Sequence, residues 1–218
     1  MSLTMSPAGT NRQVYPMITG RKRNPAARDP SCSHPSSPAT GPLRRAFLAW
    51  RPPAEQRQWL ARARPLQPAG VQPLAADDLH LTLRYLGDLD APEVAELCAR
   101  LQARAAPVDT IEVQAGGGLL LPPTRPRLLA LRVEPAPALQ QLVTHLDALL
   151  AGLPIAKRSQ SFLPHITLLR GASMAQGIPA WLQRLTLRCV MVDYQLMCSN
   201  VNQRTGPRYR VVTSYRLR

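Results

Sequence analysis

Two of the chain's four histidines open the same four-residue pattern: His80-Leu81-Thr82-Leu83 and, 85 positions later, His165-Ile166-Thr167-Leu168. An ordinary imidazole pKa near 6.5 lets histidine exchange protons around neutral pH. Two imidazoles facing one substrate can therefore divide the work, one giving a proton and the other taking one. A threonine two positions on adds a hydroxyl that can donate to a phosphate oxygen. Phosphoryl transfer asks mainly for positioning and charge stabilisation, and imidazoles, hydroxyls and arginines supply both. Neither motif holds a carboxylate, which argues against a magnesium cage or a two-metal site. Zinc would need a third ligand, and HExxH spacing is absent. Of the other histidines, His145 sits mid-helix beside an apolar stripe and reads as structural, and His34 lies in an N-terminal tail.

Each motif lies in an alternating run that reads as a strand, over 79–86 and 162–169. Residues i and i+2 of a strand share a face. His80 and Thr82 thus face one way with Leu81 and Leu83 behind them, and His165 and Thr167 repeat this against Ile166 and Leu168. Around these strands the pattern predicts a strand at about 44–50 and a helix at about 54–64, entered through Pro52-Pro53. Pro92 opens a helix to about 104, with Val94, Leu97, Cys98 and Leu101 on one face. Strands follow at about 108–114 and 127–133. Pro137 then opens a helix to about 150, striped by Leu139, Leu142, Val143, Leu146 and Leu149. Residues 185–199 and 208–217 read as two long strands, with a hairpin across 202–207. Each half repeats strand and helix segments around one motif strand, which predicts an α+β fold of two similar lobes rather than a doubly wound sheet. Gly116-Gly117-Gly118 precedes a proline-rich loop instead of opening a helix, so no dinucleotide fingerprint is present.

The net charge of +14, from 27 basic and 13 acidic residues, favours an anionic partner, nucleic acid first. The bias is toward arginine, 25 against 2 lysines, alongside 23 prolines, a composition that genome bias also produces. The four cysteines, Cys32, Cys98, Cys189 and Cys198, form no C-x-x-C pair and read as packing residues. No apolar leader and no stretch near 18 apolar residues is visible, so a cytoplasmic protein without a membrane partner is expected. Residues 1–42 hold seven prolines, five basic residues and one acid without apolar periodicity. Such a segment buries too little to offset its ordering entropy, so a disordered, dispensable basic tail is expected. Residues 43–218 then form the folded domain, expected to work as a monomer.

The motifs with their flanks resemble the 2H phosphoesterase superfamily, and within it the RNA 2′,3′-cyclic phosphodiesterases, historically called 2′-5′ RNA ligases. The resemblance covers about residues 44–217. Its opening strand is matched by Arg45, Phe47, Ala49 and the Pro52-Pro53 turn. Its two signatures are matched by Leu79-His80-Leu81-Thr82-Leu83-Arg84-Tyr85-Leu86-Gly87 and by Phe162-x-Pro164-His165-Ile166-Thr167-Leu168-x-Arg170. Its terminal pattern is echoed by Ser199, Gly206 and Tyr209. A departure is the central Leu120-Leu121-Pro122-Pro123, where the family often has Gly-x-Phe-Pro.

The resemblance implies two pseudo-symmetric lobes of antiparallel sheet with outer helices, around a central cleft. It also implies RNA ending in a 2′,3′-cyclic phosphate as substrate, a 2′-phosphomonoester as product, and no metal or nucleotide cofactor. His165 would be the general base that activates water, and His80 the general acid that protonates the leaving 3′ oxygen. Thr82 and Thr167 would hold the non-bridging oxygens. Arg170, three residues after Thr167, could steady the anion or an adjacent phosphate. Arg84, placed by strict alternation on the face of His80 and Thr82, could do the same or be a solvated rim residue. Alternatives are 2′-5′ ligation or its reverse, hydrolysis of a small cyclic nucleotide, and an RNA-binding module without turnover. Both intact histidine–threonine pairs weigh against the last.

Overall fold

The computed structural model describes residues 41–65, 69–104, 106–157, 161–171, 177–200 and 206–217. The expected tail lies outside the described residues up to residue 40. The elements are β1 (Leu43–Trp50), α1 (Ala54–Arg62), β2 (Val71–Pro73), a 3₁₀ turn at Ala76–Asp78, β3 (Leu81–Leu89), α2 (Ala91–Ala103), β4 (Ile111–Leu121), β5 (Leu128–Val133), α3 (Pro137–Leu149), β6 (His165–Gly171), α4 (Ala180–Gln183), β7 (Thr186–Met191), β8 (Asp193–Ser199) and β9 (Tyr209–Arg216). Local signals explain the helix starts. Asp90 accepts the Glu93 N–H at 2.9 Å while the Glu93 carboxylate accepts the Asp90 N–H at 2.8 Å, closing a capping box before α2. Pro137 sits in the first turn of α3, where its missing N–H costs nothing.

The strands form one antiparallel, unclosed sheet in the order β7-β4-β5-β6-β3-β1-β8-β9, with β2 added to β6. The fold is therefore α+β, and the two expected lobes are the two ends of this sheet. Each contains a strand, a helix and a motif strand in succession: β1-α1-β3 on one side, β5-α3-β6 on the other. The sheet halves are not the halves of the sequence. The run at 185–199, expected to be one long strand, breaks at Val192. Its first part, β7, pairs with β4 in the second half, and its second part, β8, pairs with β1 in the first. The buried face also switches there, from the odd positions Leu185, Leu187 and Met191 to the even positions Tyr194, Leu196 and Cys198, a change of phase that reading the run as one alternating strand overlooks. The β8–β9 hairpin forms as expected. The glycine run lies inside β4, where Ala115 and Gly118 are three residues apart but their β5 partners Val133 and Leu131 only two. Gly117, at φ +69°, accommodates that bulge.

One face of the sheet carries the main core. Ala46, Leu48 and Trp50 of β1 pack there with Leu81 and Leu83 of β3, Ile166 and Leu168 of β6, Leu60 of α1, Leu97 of α2 and Leu142 and Leu146 of α3. At their C-terminal ends α2 and α3 are tied by Arg100, which donates to the carbonyls of Leu149 and Ala151 at 3.2 and 2.9 Å. The opposite face holds a small cluster of Phe47, Ala49 and Met197, with Tyr209 against it. From Arg45 on, β1 thus serves two purposes, since Ala46, Leu48 and Trp50 build the core while Arg45, Phe47 and Ala49 face the other side.

The halves meet at β3 and β6, in register at Leu81↔Ile166. Both residues are fully buried. Leu81→Ala is expected to cost about 2–5 kcal/mol, the usual range for a buried leucine, read as a lower midpoint in urea unfolding. A loss under 1 kcal/mol would show that this joint is not a packed part of the core.

Candidate active site

The Leu81↔Ile166 register places the chemistry. With those two residues opposite each other in antiparallel strands, His80 stands across from Thr167 and Thr82 across from His165. Leu81 and Ile166 point into the core, so the four polar side chains share the other face. The two histidines occupy one diagonal of a square and the two threonines the other. Diagonal neighbours in such a ladder lie roughly 7–8 Å apart, room for one phosphate group between the imidazoles. The motifs found far apart in sequence are thus joined by a local two-fold axis through one rung.

Beyond the threonines each motif strand bulges at the same place. Leu48 and Ala49 of β1 are adjacent, but their partners on β3 are Arg84 and Thr82, which leaves Leu83 as the extra residue. Leu129 and Ala130 of β5 face Leu169 and Thr167, so Leu168 is the extra residue on β6. The fourth residue of each motif is therefore a bulge, and alternation slips by one after it. The slip corrects the expectation for Arg84. It lies opposite Leu48, on the core side, where its Nε is 3.1 Å from Asp147 Oδ1 of α3 and its NH2 donates to the Ala156 carbonyl at 2.9 Å. Arg84 joins β3 to α3 instead of facing substrate. Tyr85 takes the cleft-side position, opposite Phe47. The same slip brings Arg170, three residues after Thr167, into the cleft. Its NH2 donates to the Tyr209 hydroxyl at 3.0 Å, and its Nε is buried with no hydrogen-bond partner among the described residues. The Leu168 carbonyl accepts both the Leu74 N–H at 3.0 Å and Arg64 NH1 at 2.8 Å, which pins the second bulge.

Both imidazoles are held alike. His80 Nδ1 is 2.7 Å from the Asp78 carbonyl and His165 Nδ1 is 2.7 Å from the Leu163 carbonyl. A carbonyl only accepts, so each Nδ1 carries the hydrogen. Each Nε2 is left with a lone pair when the ring is neutral and a proton when it is charged, the state a base or an acid requires. Their surroundings differ. His80 lies between Phe47 and Tyr209, with ring centroids 5.0 and 5.1 Å away, the Tyr209 ring edge-on at 83°. Burial pushes its pKa down to about 4, with Arg170, His165 and Arg51 nearby adding to the effect and the Asp78 carbonyl opposing it. His80, Thr82 and Arg170 line a cleft of about 420 Å³.

Asp78 was not singled out from the sequence, yet it organises this corner. It is buried, and its Oδ1 accepts the backbone N–H groups of Arg208 and Tyr209 at 2.8 and 3.3 Å, while its own carbonyl holds His80. Burial raises the pKa of this carboxyl, and the two backbone donors and the Arg208 charge pull it back. One residue thereby latches the start of β9, places the Tyr209 ring and orients the imidazole. The position two before His165 is Leu163, so the second motif shares only the carbonyl contact. Among the described residues no group of three or more His, Cys, Asp or Glu side chains comes together as a metal site.

Paired imidazoles and hydroxyls on two neighbouring strands, with arginine beside them, are groups that acid–base phosphoester chemistry can use. Residues 52–194 match the model of the 2′-5′ RNA ligase superfamily, and the chain belongs to that family. Over 138 residues it is 36% identical to the RNA 2′,3′-cyclic phosphodiesterase of Escherichia coli K12, covering 62% of this chain and 76% of that one. It is 28% identical over 143 residues to the RNA 2′,3′-cyclic phosphodiesterase of Aeropyrum pernix, covering 62% of this chain and 80% of that one. Its fold is similar to the crystal structure of Escherichia coli LigT complexed with 3′-AMP, at a TM-score of 0.66 and 29% identity over 80% of this chain and 98% of that one.

Asp78→Ala would free two backbone donors and slacken the His80 corner. It is expected to lower kcat/KM about 10–100-fold, the scale for an ångström-level misplacement. Asp78→Asn keeps the accepting oxygen and is expected to retain most of the activity. Equal losses in the two variants would remove this positioning role.

Proposed function

We propose that this protein hydrolyses the 2′,3′-cyclic phosphate at RNA ends to a 2′-phosphomonoester. The observation that carries the reading is the Leu81↔Ile166 rung, which brings the two His-x-Thr motifs side by side on neighbouring antiparallel strands. The relatives that bear the name RNA 2′,3′-cyclic phosphodiesterase support it. In the proposed reaction water attacks phosphorus as His165 Nε2 takes its proton. The bond from phosphorus to the 3′ oxygen breaks as His80 Nε2–H protonates that oxygen. Thr82 and Thr167 donate to the non-bridging oxygens, and Arg170, oriented by Tyr209, balances their charge. Acid and base each contribute about 10²–10⁴-fold in such sites. Both motif strands come from one chain, so a monomer suffices, and the free thiols of Cys98, Cys189 and Cys198 suit the cytoplasm.

With an RNA oligomer ending in a 2′,3′-cyclic phosphate, in EDTA, the expected product is the 2′-phosphate, separated from the 3′ isomer by chromatography. A cyclic end that persists, or a 3′-phosphate product, would contradict the proposal. His80→Ala and His165→Ala should each lower turnover by about 10² or more while leaving the fold intact. A variant near wild-type rate would remove that histidine from the mechanism.

The roles also set a pH dependence. With its pKa near 4 in the unliganded protein, His80 is neutral at pH 7. To act as the acid it must gain a proton when the anion arrives, since a nearby negative charge raises an imidazole's pKa. Binding of a 2′-nucleotide should then take up protons near neutrality and tighten as pH falls, as measured by calorimetry in buffers of different ionisation heat. Binding without uptake would exchange the roles, with His80 as base.

A further inference from the structure

We propose a second anion subsite, centred on Arg45, that holds the phosphodiester on the 5′ side of the terminal nucleotide. It rests on the reaction proposed above and names the part of the RNA that the cleft selects. The cleft is lopsided. It takes in His80 and Thr82 but neither His165 nor Thr167, and it runs over β1 and the β8–β9 hairpin. A nucleoside attached to a phosphate held between the histidines has its space on that side. Among the described residues lining the cleft are three arginines and no carboxylate. Arg170 and Arg208 are already engaged, donating to the Tyr209 hydroxyl and to Gln72 Oε1, both at 3.0 Å.

Three features set Arg45 apart. It is the one non-glycine residue with positive φ, +51°, among the described residues, a conformation side chains take rarely, at the irregularity of β1 between Leu43 and Ala46. Asp88 holds it there, accepting the Arg45 backbone N–H through Oδ1 at 2.8 Å and Arg44 NH1 through Oδ2 at 2.8 Å. That carboxylate is thus occupied by the backbone and by Arg44, and the Arg45 guanidinium lines the cleft. Between Arg45 and Thr82 lies Tyr85, 47% exposed, opposite Phe47 on β1. Ala49, paired with Thr82, is two residues from Phe47 and four from Arg45, roughly 7 and 13 Å along the strand. An aromatic face and then a cation beyond the threonine, the long arginine side chain spanning part of that distance, suit one ribonucleoside and the phosphate before it, and bases of single-stranded RNA stack on such rings.

The subsite predicts a preference for RNA ends and 5′-phosphorylated nucleotides over bare nucleosides. The test compares adenosine 2′,3′-cyclic phosphate with its 5′-phosphorylated counterpart, using the full chain. Wild-type kcat/KM should favour the 5′-phosphorylated compound about tenfold or more, the worth of a charge-assisted contact. Arg45→Gly, which accepts positive φ without strain, should bring the ratio toward one, and Arg45→Lys should keep part of it. A wild-type ratio near one, or a ratio that survives in Arg45→Gly, overturns the subsite. Failure to hydrolyse either compound, or an RNA end, would instead overturn the phosphodiesterase reading on which it rests.

Discussion

The site depends on one antiparallel rung. Leu81 and Ile166 are buried apolar residues whose burial fixes the register of β3 against β6. A slip of one residue in either strand would turn its histidine and threonine into the core, so the hydrophobic effect that joins the halves also aligns the catalytic face. The polar residues add little to holding the strands together. They inherit their geometry from the leucine and isoleucine behind them.

Symmetry then gives way to difference. Both imidazoles are anchored through Nδ1 to a carbonyl two residues upstream, which fixes the same tautomer in each. Only His80 is enclosed by Phe47 and Tyr209 and backed by a buried carboxylate. The asymmetry comes from the C-terminal hairpin, which pairs through β8 with β1 and brings the Tyr209 ring to His80. A repeated motif thus acquires two unlike environments, as acid and base require.

Much of this was legible in the sequence, because it rests on local periodicity. Alternation placed His80 with Thr82 and His165 with Thr167, and the prolines and apolar stripes located α2 and α3 to within a residue or two. The failures share a physical cause, in that they depend on partners far along the chain. The bulges at Leu83 and Leu168 are properties of strand pairs, so strict alternation misplaced Arg84 and passed over Tyr85. The break at Val192 is a change of partner at which the buried positions pass from odd to even. Asp78 reads as one acid among several until the fold brings residues 208 and 209 to its carboxylate. The segment of residues 1–40 lies outside the described residues.

The interleaving of the halves bears on synthesis. Ribosomes deliver a chain from its N-terminus, and β9, the strand that carries Tyr209, emerges after both motif strands, β3 and β6. Until it does, His80 lacks its aromatic cover, Asp78 has no backbone to hold and Arg170 has no hydroxyl to orient it. A nascent or prematurely terminated chain can carry both histidine motifs and still lack a finished pocket. Assembly of the pocket is therefore tied to emergence of the β8–β9 hairpin and not to synthesis of the two motifs alone.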